Sequence, residues 1–153
     1  MRILHLIHNY YPSIGGSQEL FKNVSERLVT SFSDNVTVFT TNVLDGPHVL
    51  PAQFISPREE TVNGVEVRRF SFFRQYQPTL RFSCRIASKL RLPISDYIRL
   101  LGYGPLSPSM FRAIVDFDAD VIGGTSHPYL HMFFPLLARH FGKHIPFVCY
   151  GAL

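Results

Sequence analysis

The chain has 153 residues, of which 46% are hydrophobic and 17% charged, with 14 Phe and 7 Tyr, so it can bury one domain-sized core and is not a disordered polyelectrolyte. Two cysteines are too few for a disulfide framework, and seven histidines at scattered positions form no metal-ligand spacing. The net charge of +4 is unevenly placed: eight of the 15 Lys and Arg fall between Arg68 and Arg99, opposed there only by Asp96, a distribution that favours phosphate-bearing partners.

RILHLI (2–7) is a short apolar run with no room for a helix before Pro12, and it predicts a buried strand rather than a secretory signal. Leu20, Val24, Leu28 and Phe32 then recur at helical spacing, which predicts an amphipathic helix opening just after Gly16 with those four residues on its apolar face. NVTVFTT (35–41) is rich in β-branched residues and predicts a second strand, parallel to the first through a right-handed crossover. A loop with Gly46, Pro47, Pro51 and Pro57 leads to TVNGVEVRRFSFF, read as strand material turning at Asn63-Gly64. Prolines 78, 93, 105 and 108 divide 74–115 into helical pieces. DADVIGGT (118–125) predicts a buried strand, HPYLHMFFPLLARHFG a helix ending at Gly142, and IPFVCYG (145–151) a last strand.

This alternation predicts an α/β fold: a parallel-sheet, Rossmann-like domain with helices on both faces. Ligands of such sheets sit beyond the carboxyl ends of the strands, where 8–18 and 123–131 fall. The pair Gly15-Gly16 precedes a helix whose first amides and dipole favour an anion, and a residue without Cβ lets an oxygen approach the backbone closely. A plain turn is the competing explanation, since the pair matches neither G-x-G-x-x-G nor a P-loop.

R-I-L-H-L-I-H-N-Y-Y-P-S-I-G-G-S-Q-E-L-F-K-N-V-S-E-R-L, then N-V-T-V-F-T-T, N-G-V-E-V-R-R, D-A-D-V-I-G-G-T-S-H-P-Y-L and I-P-F-V-C-Y-G, together resemble the N-terminal domain of the family 4 glycosyltransferases, with the opening segment the most specific. The resemblance implies one half of a GT-B fold, in which two Rossmann-like domains face each other across a cleft. It implies a retaining transferase that moves a sugar from a nucleotide-sugar donor to a sugar, lipid-linked or other small acceptor, without metal or other cofactor. Gly15 and Gly16 would lie against the donor diphosphate, while the nucleotide would be held by a C-terminal domain that these 153 residues do not contain. The chain is therefore expected to be an acceptor-side fragment, inactive alone. The family places a histidine beyond the strand matching 145–151; Tyr150 to Leu153 stand there instead, so no catalytic residue is named.

Five further residues are cleft candidates for acceptor or donor contacts: Tyr10, Ser17, Gln18, His127 and Tyr150. Packing under the loop competes as an explanation for Tyr10 and Tyr11, and helix capping for Ser17 and His127. His5, His140 and His144 are explained by strand-interior or helix-end positions. In RFSCRIASKLRL (81–91 and its flank), Phe82, Ile86 and Leu90 form one row and Arg81, Arg85 and Lys89 the next, the pattern of a helix lying on an anionic membrane or simply docked on the domain. No nucleic-acid motif accompanies these cations, so nucleic acid is not an expected partner. The competing functional reading is a stand-alone Rossmann-type module that recognises anionic lipid or nucleic acid without chemistry. No segment is long enough to span a bilayer, and a cytoplasmic protein, either free or peripheral to a membrane, is expected.

Overall fold

The computed structural model describes residues 1–44, 53–73, 77–90, 98, 101–102, 104–125 and 129–150. The elements run β1 (Arg2–Leu6), α1 (Gly16–Phe32), β2 (Asn35–Thr41), β3 (Glu59–Val62), β4 (Val65–Phe70), α2 (Gln77–Lys89), α3 (Pro108–Asp116), β5 (Val121–Thr125), a 3-10 turn (Leu130–Phe133), α4 (Phe134–Ala138), a second 3-10 turn (Arg139–Phe141) and β6 (Phe147–Tyr150). They build an α/β domain around one six-stranded sheet of order β3-β4-β2-β1-β5-β6, in which every pair is parallel except β3 with β4. The exception is the hairpin expected at Asn63-Gly64, whose φ values of 49° and 85° are what a two-residue turn matched to strand twist requires.

Strand alternation divides the core into two layers. Ile3 and Ile7 of the β1 segment, Val36 and Val38 of β2 and Val65 and Val67 of β4 face α1 through Phe21, Leu28 and Val29. Leu4, Leu6 and Phe39 face the other way, onto Met110 and Ile114 of α3 and Phe134 and Ala138 of α4. Helices thus cover both faces, as parallel sheets require. Ser107 caps α3 by accepting from the Met110 amide at 3.3 Å, and Pro108 occupies the first turn, where no amide is needed.

Two expectations need correction. The buried face of α1 carries Phe21 and Ser25, whereas Leu20 and Phe32 are 52% and 68% exposed, so the helix is turned about one residue from the face its aliphatic spacing predicts. The cause lies in the strand beneath it: His5 points up from β1, shares a 2.7 Å hydrogen bond with Ser25 Oγ, and stands edge-on to Phe21 with ring centroids 5.0 Å apart. A buried polar group must be paired, and Ser25 is the partner. The stretch predicted as one helix ending at Gly142 instead alternates 3-10 and α turns, although Gly142 does close it with φ 81°.

Candidate anion and ligand site at the carboxyl ends of the strands

In chain order the five mutually parallel strands run outward from β1 in both directions, through β2 and β4 on one side and β5 and β6 on the other. The strands that follow β1 and β5 in the chain thus lie on opposite sides of this pair, which makes their carboxyl ends the switch point at which ligands of such sheets bind. The backbone beyond β1 is tightly held. The His8 carbonyl accepts from the Thr41 amide (3.1 Å) and from the Thr40 (3.1 Å) and Thr41 (2.8 Å) hydroxyls, and the Asn9 side chain donates to the Leu44 carbonyl at 3.0 Å. Arg69, its side chain wholly buried, reaches from β4 to donate to the Tyr11 carbonyl at 2.7 Å and the Pro57 carbonyl at 3.1 Å, and pairs with Glu60. The loop leading to the glycine pair is thus anchored from two neighbouring strands.

At the end of that loop α1 begins without a side-chain cap. Its first internal bond is Glu19 N–H to the Gly15 carbonyl, at 2.9 Å, so the amides of Gly16, Ser17 and Gln18 precede the helical ladder and have no acceptor within it. Neither glycine is demanded by conformation: Gly15 is extended, at φ 171°, and Gly16 opens the helix. Packing does not demand them either. A Cβ on Gly16 would meet nothing within 4 Å, and one on Gly15 would press only on the amide end of the Gln18 side chain. Ser17 makes no capping bond, which removes the capping explanation for it, and Gln18 folds back over Gly15. Ile14, just ahead, is 96% exposed.

The same end of the sheet holds an aromatic cluster. The His8 ring stacks on Tyr129 at 4.8 Å with a 5° interplanar angle, stands edge-on to Phe72, and lies 6.1 Å from His131. His131 Nε2 faces the Thr125 carbonyl at 3.3 Å. A carbonyl only accepts, so Nε2 carries the proton and the unpartnered Nδ1 is a bare lone pair. Both His8 nitrogens are buried without a protein partner. Burial, reinforced by nearby His131, pushes His8 down to about 3, and burial pushes His131 down to about 4 against the opposing bond to Thr125. Both rings are neutral at physiological pH, suited to hydrogen bonds with hydroxyls rather than to holding an anion.

The sequence candidates divide accordingly. Gly15, Gly16, Ser17 and Gln18 come together at the mouth of α1. Tyr10 does not join them: it is 1% exposed within the α1-side core, and burial pushes its phenol up to about 12, partly offset by Ser25 and reinforced by Glu26. The packing explanation holds for Tyr10, while Tyr11 is exposed beside Lys22, whose ammonium lies 5.4 Å from its ring centroid. Tyr150 ends β6 half-exposed, edge-on to Phe21 at 5.6 Å, and its carbonyl accepts from Thr125 Oγ1 at 3.3 Å. His127 lies outside the described residues, as do 151–153. His8, Tyr129 and His131 were not singled out from the sequence. Their only signal was position, one or two turns of chain beyond predicted strand ends.

No protein-family model matches this chain, and no curated protein or solved structure matches it. Among the described residues no group of three or more His, Cys, Asp or Glu side chains is placed to hold a metal, and no helix is long and apolar enough to cross a membrane. A separate depression of about 280 Å³ lies between Arg58, Arg68, Phe70 and Ser109, but Arg68 is engaged by Glu66 at 2.6 Å.

Proposed function

We propose that this chain is a Rossmann-like domain forming the acceptor-side wall of a retaining nucleotide-sugar glycosyltransferase, with the donor diphosphate received at the mouth of α1. One observation carries the reading. Gly16 answers to no need of the fold, neither conformational nor steric, and a Cβ on Gly15 would displace the far end of the Gln18 side chain, at an uncapped helix start beyond the carboxyl end of β1. A ligand that must come close to the backbone supplies the missing reason. As the sugar–phosphate bond breaks, negative charge grows on the leaving diphosphate. The amides of Gly16, Ser17 and Gln18 are fixed dipoles that would stabilise that charge with no reorganisation. The leaving phosphate would in turn take the proton of the acceptor hydroxyl, which is the front-face route that retention implies. The neutral His8 and His131 rings lie buried behind this corner and add no charge that would compete for the diphosphate.

The test is an amide-resolved NMR titration of the chain with pyrophosphate and with nucleoside-diphosphate sugars. The reading expects the Gly16, Ser17 and Gln18 amides to move first and furthest. Shifts confined to other regions, together with unchanged sugar transfer when Gly16→Leu is placed in the full-length protein, would overturn it.

A further inference from the structure

The face of α2 turned away from the domain carries an unpaired combination of apolar and cationic side chains. At about 100° per residue, Ala87 (3% exposed) and the half-buried Leu80 and Cys84 define the side against the protein. Phe82, 65% exposed, stands roughly opposite Ala87. Ile86 and Leu90 continue from it on one flank, both exposed, with the Leu90 amide bonded to the Ile86 carbonyl at 3.0 Å so that the helical turn carries the row one residue past Lys89. Arg85 and Lys89, also exposed, occupy the other flank. The helix contains no Asp or Glu, and among the described residues neither cation makes an ion pair. Thirteen residues make a rod of about 20 Å.

A helix docked on its own domain turns the apolar row inward and its cations outward. Here the two rows lie side by side on the outer surface. We infer that α2 is an interfacial anchor that seats the protein on an anionic lipid bilayer, with Phe82, Ile86 and Leu90 entering the acyl boundary and Arg85 and Lys89 meeting the head-group phosphates. The charge decides between this occupant and a second copy of the chain: an identical face would set Arg85 and Lys89 against their like, whereas an anionic membrane satisfies both rows at once. The inference is independent of the diphosphate reading, because α2 and the mouth of α1 share no residue.

The full chain is to be tested by co-flotation with vesicles of phosphatidylcholine alone and of phosphatidylcholine mixed with phosphatidylglycerol. Binding to the anionic vesicles only, weakening as salt rises, is expected. Arg85→Ser with Lys89→Ser should weaken it roughly 10- to 30-fold, and Phe82→Ser with Ile86→Ser at least about tenfold. All four positions are exposed, so melting temperatures should stay near that of the parent. Gly16→Leu should float as the parent does, which separates this test from that of the diphosphate site. No flotation at low salt overturns the inference. So does light scattering that shows a dimer dissociated by the Phe82→Ser, Ile86→Ser variant, or nucleic-acid binding lost with the two cations while vesicles are ignored.

Discussion

Replacing Gly16 separates what the fold needs from what a ligand needs. An Ala Cβ there meets nothing within 4 Å, and the position opens a regular helix, so the folded state accepts the methyl without strain. The unfolded chain loses freedom, which stabilises the protein by about 0.4–1 kcal/mol. For a domain of this size that raises the melting temperature by up to about 2–4 °C. Gly16→Leu occupies the same open space with a larger body. If a diphosphate rests against these amides, either side chain intrudes between phosphate and backbone, and loss of one charge-assisted hydrogen bond at about 1.5–3 kcal/mol weakens binding roughly 10- to 100-fold. Calorimetric melting paired with isothermal titration of pyrophosphate reads both quantities in the same samples. A variant that melts higher and binds less supports a ligand-driven glycine. A variant that melts several degrees lower refutes the claim that packing leaves the site open, and one that binds equally well refutes the claim that the anion lies there.

Acid should destabilise the protein through three buried neutral histidines. Burial lowers His5 and His131 from 6.5 to about 4 and His8 to about 3, so between pH 6.5 and those values the unfolded chain binds more protons and stability falls as pH falls. The three together should cost on the order of 4 kcal/mol at pH 5.5 relative to pH 7.5, and equal urea midpoints at the two pH values would contradict their burial. His8→Phe, which keeps the stack on Tyr129 and removes two orphaned nitrogens, should hold or raise stability at pH 7.5 and flatten the acid dependence; a clear loss of stability would reveal a protein partner for that ring. Gly104→Ala would drive a Cβ into Leu130, 2.7 Å from its Cα, where backbone rather than a flexible side chain must yield, and thermal unfolding should show a loss of about 3 kcal/mol or more. Arg69→Leu strips the Tyr11 and Pro57 carbonyls and Glu60 of their partner and should cost about 3 kcal/mol by urea unfolding, with broadened amide signals across 9–15; a change within about 0.5 kcal/mol would show that the loop is held otherwise.

The strands and the hairpin were legible because their signals are local. β2 spans Asn35–Thr41 as its β-branched run predicts, and Asn63-Gly64 turns where positive φ is cheapest, so each element needs only a few neighbouring residues to declare itself. The uncapped glycine pair ahead of α1 was legible for the same reason. The facing of α1 was not: aliphatic spacing favours Leu20 and Phe32, but His5, twenty residues before Ser25, needs a hydrogen-bond partner in the core and turns the helix to obtain it. Nor could spacing show Tyr10 filling the core, or the outward turn of Phe82 and Ile86, since burial is a property of what else comes near.

Residue order by itself determined the alternation of strands and helices, and with it a parallel sheet having its loops of interest at one end, because backbone sterics and side-chain periodicity act over a few residues. Only the tertiary structure decided that His8 stacks on Tyr129 and approaches His131, across more than 120 positions of chain. That meeting depends on β5 pairing with β1 rather than with β4. The choice is made by burial of both sheet faces at once, and no local stretch encodes it.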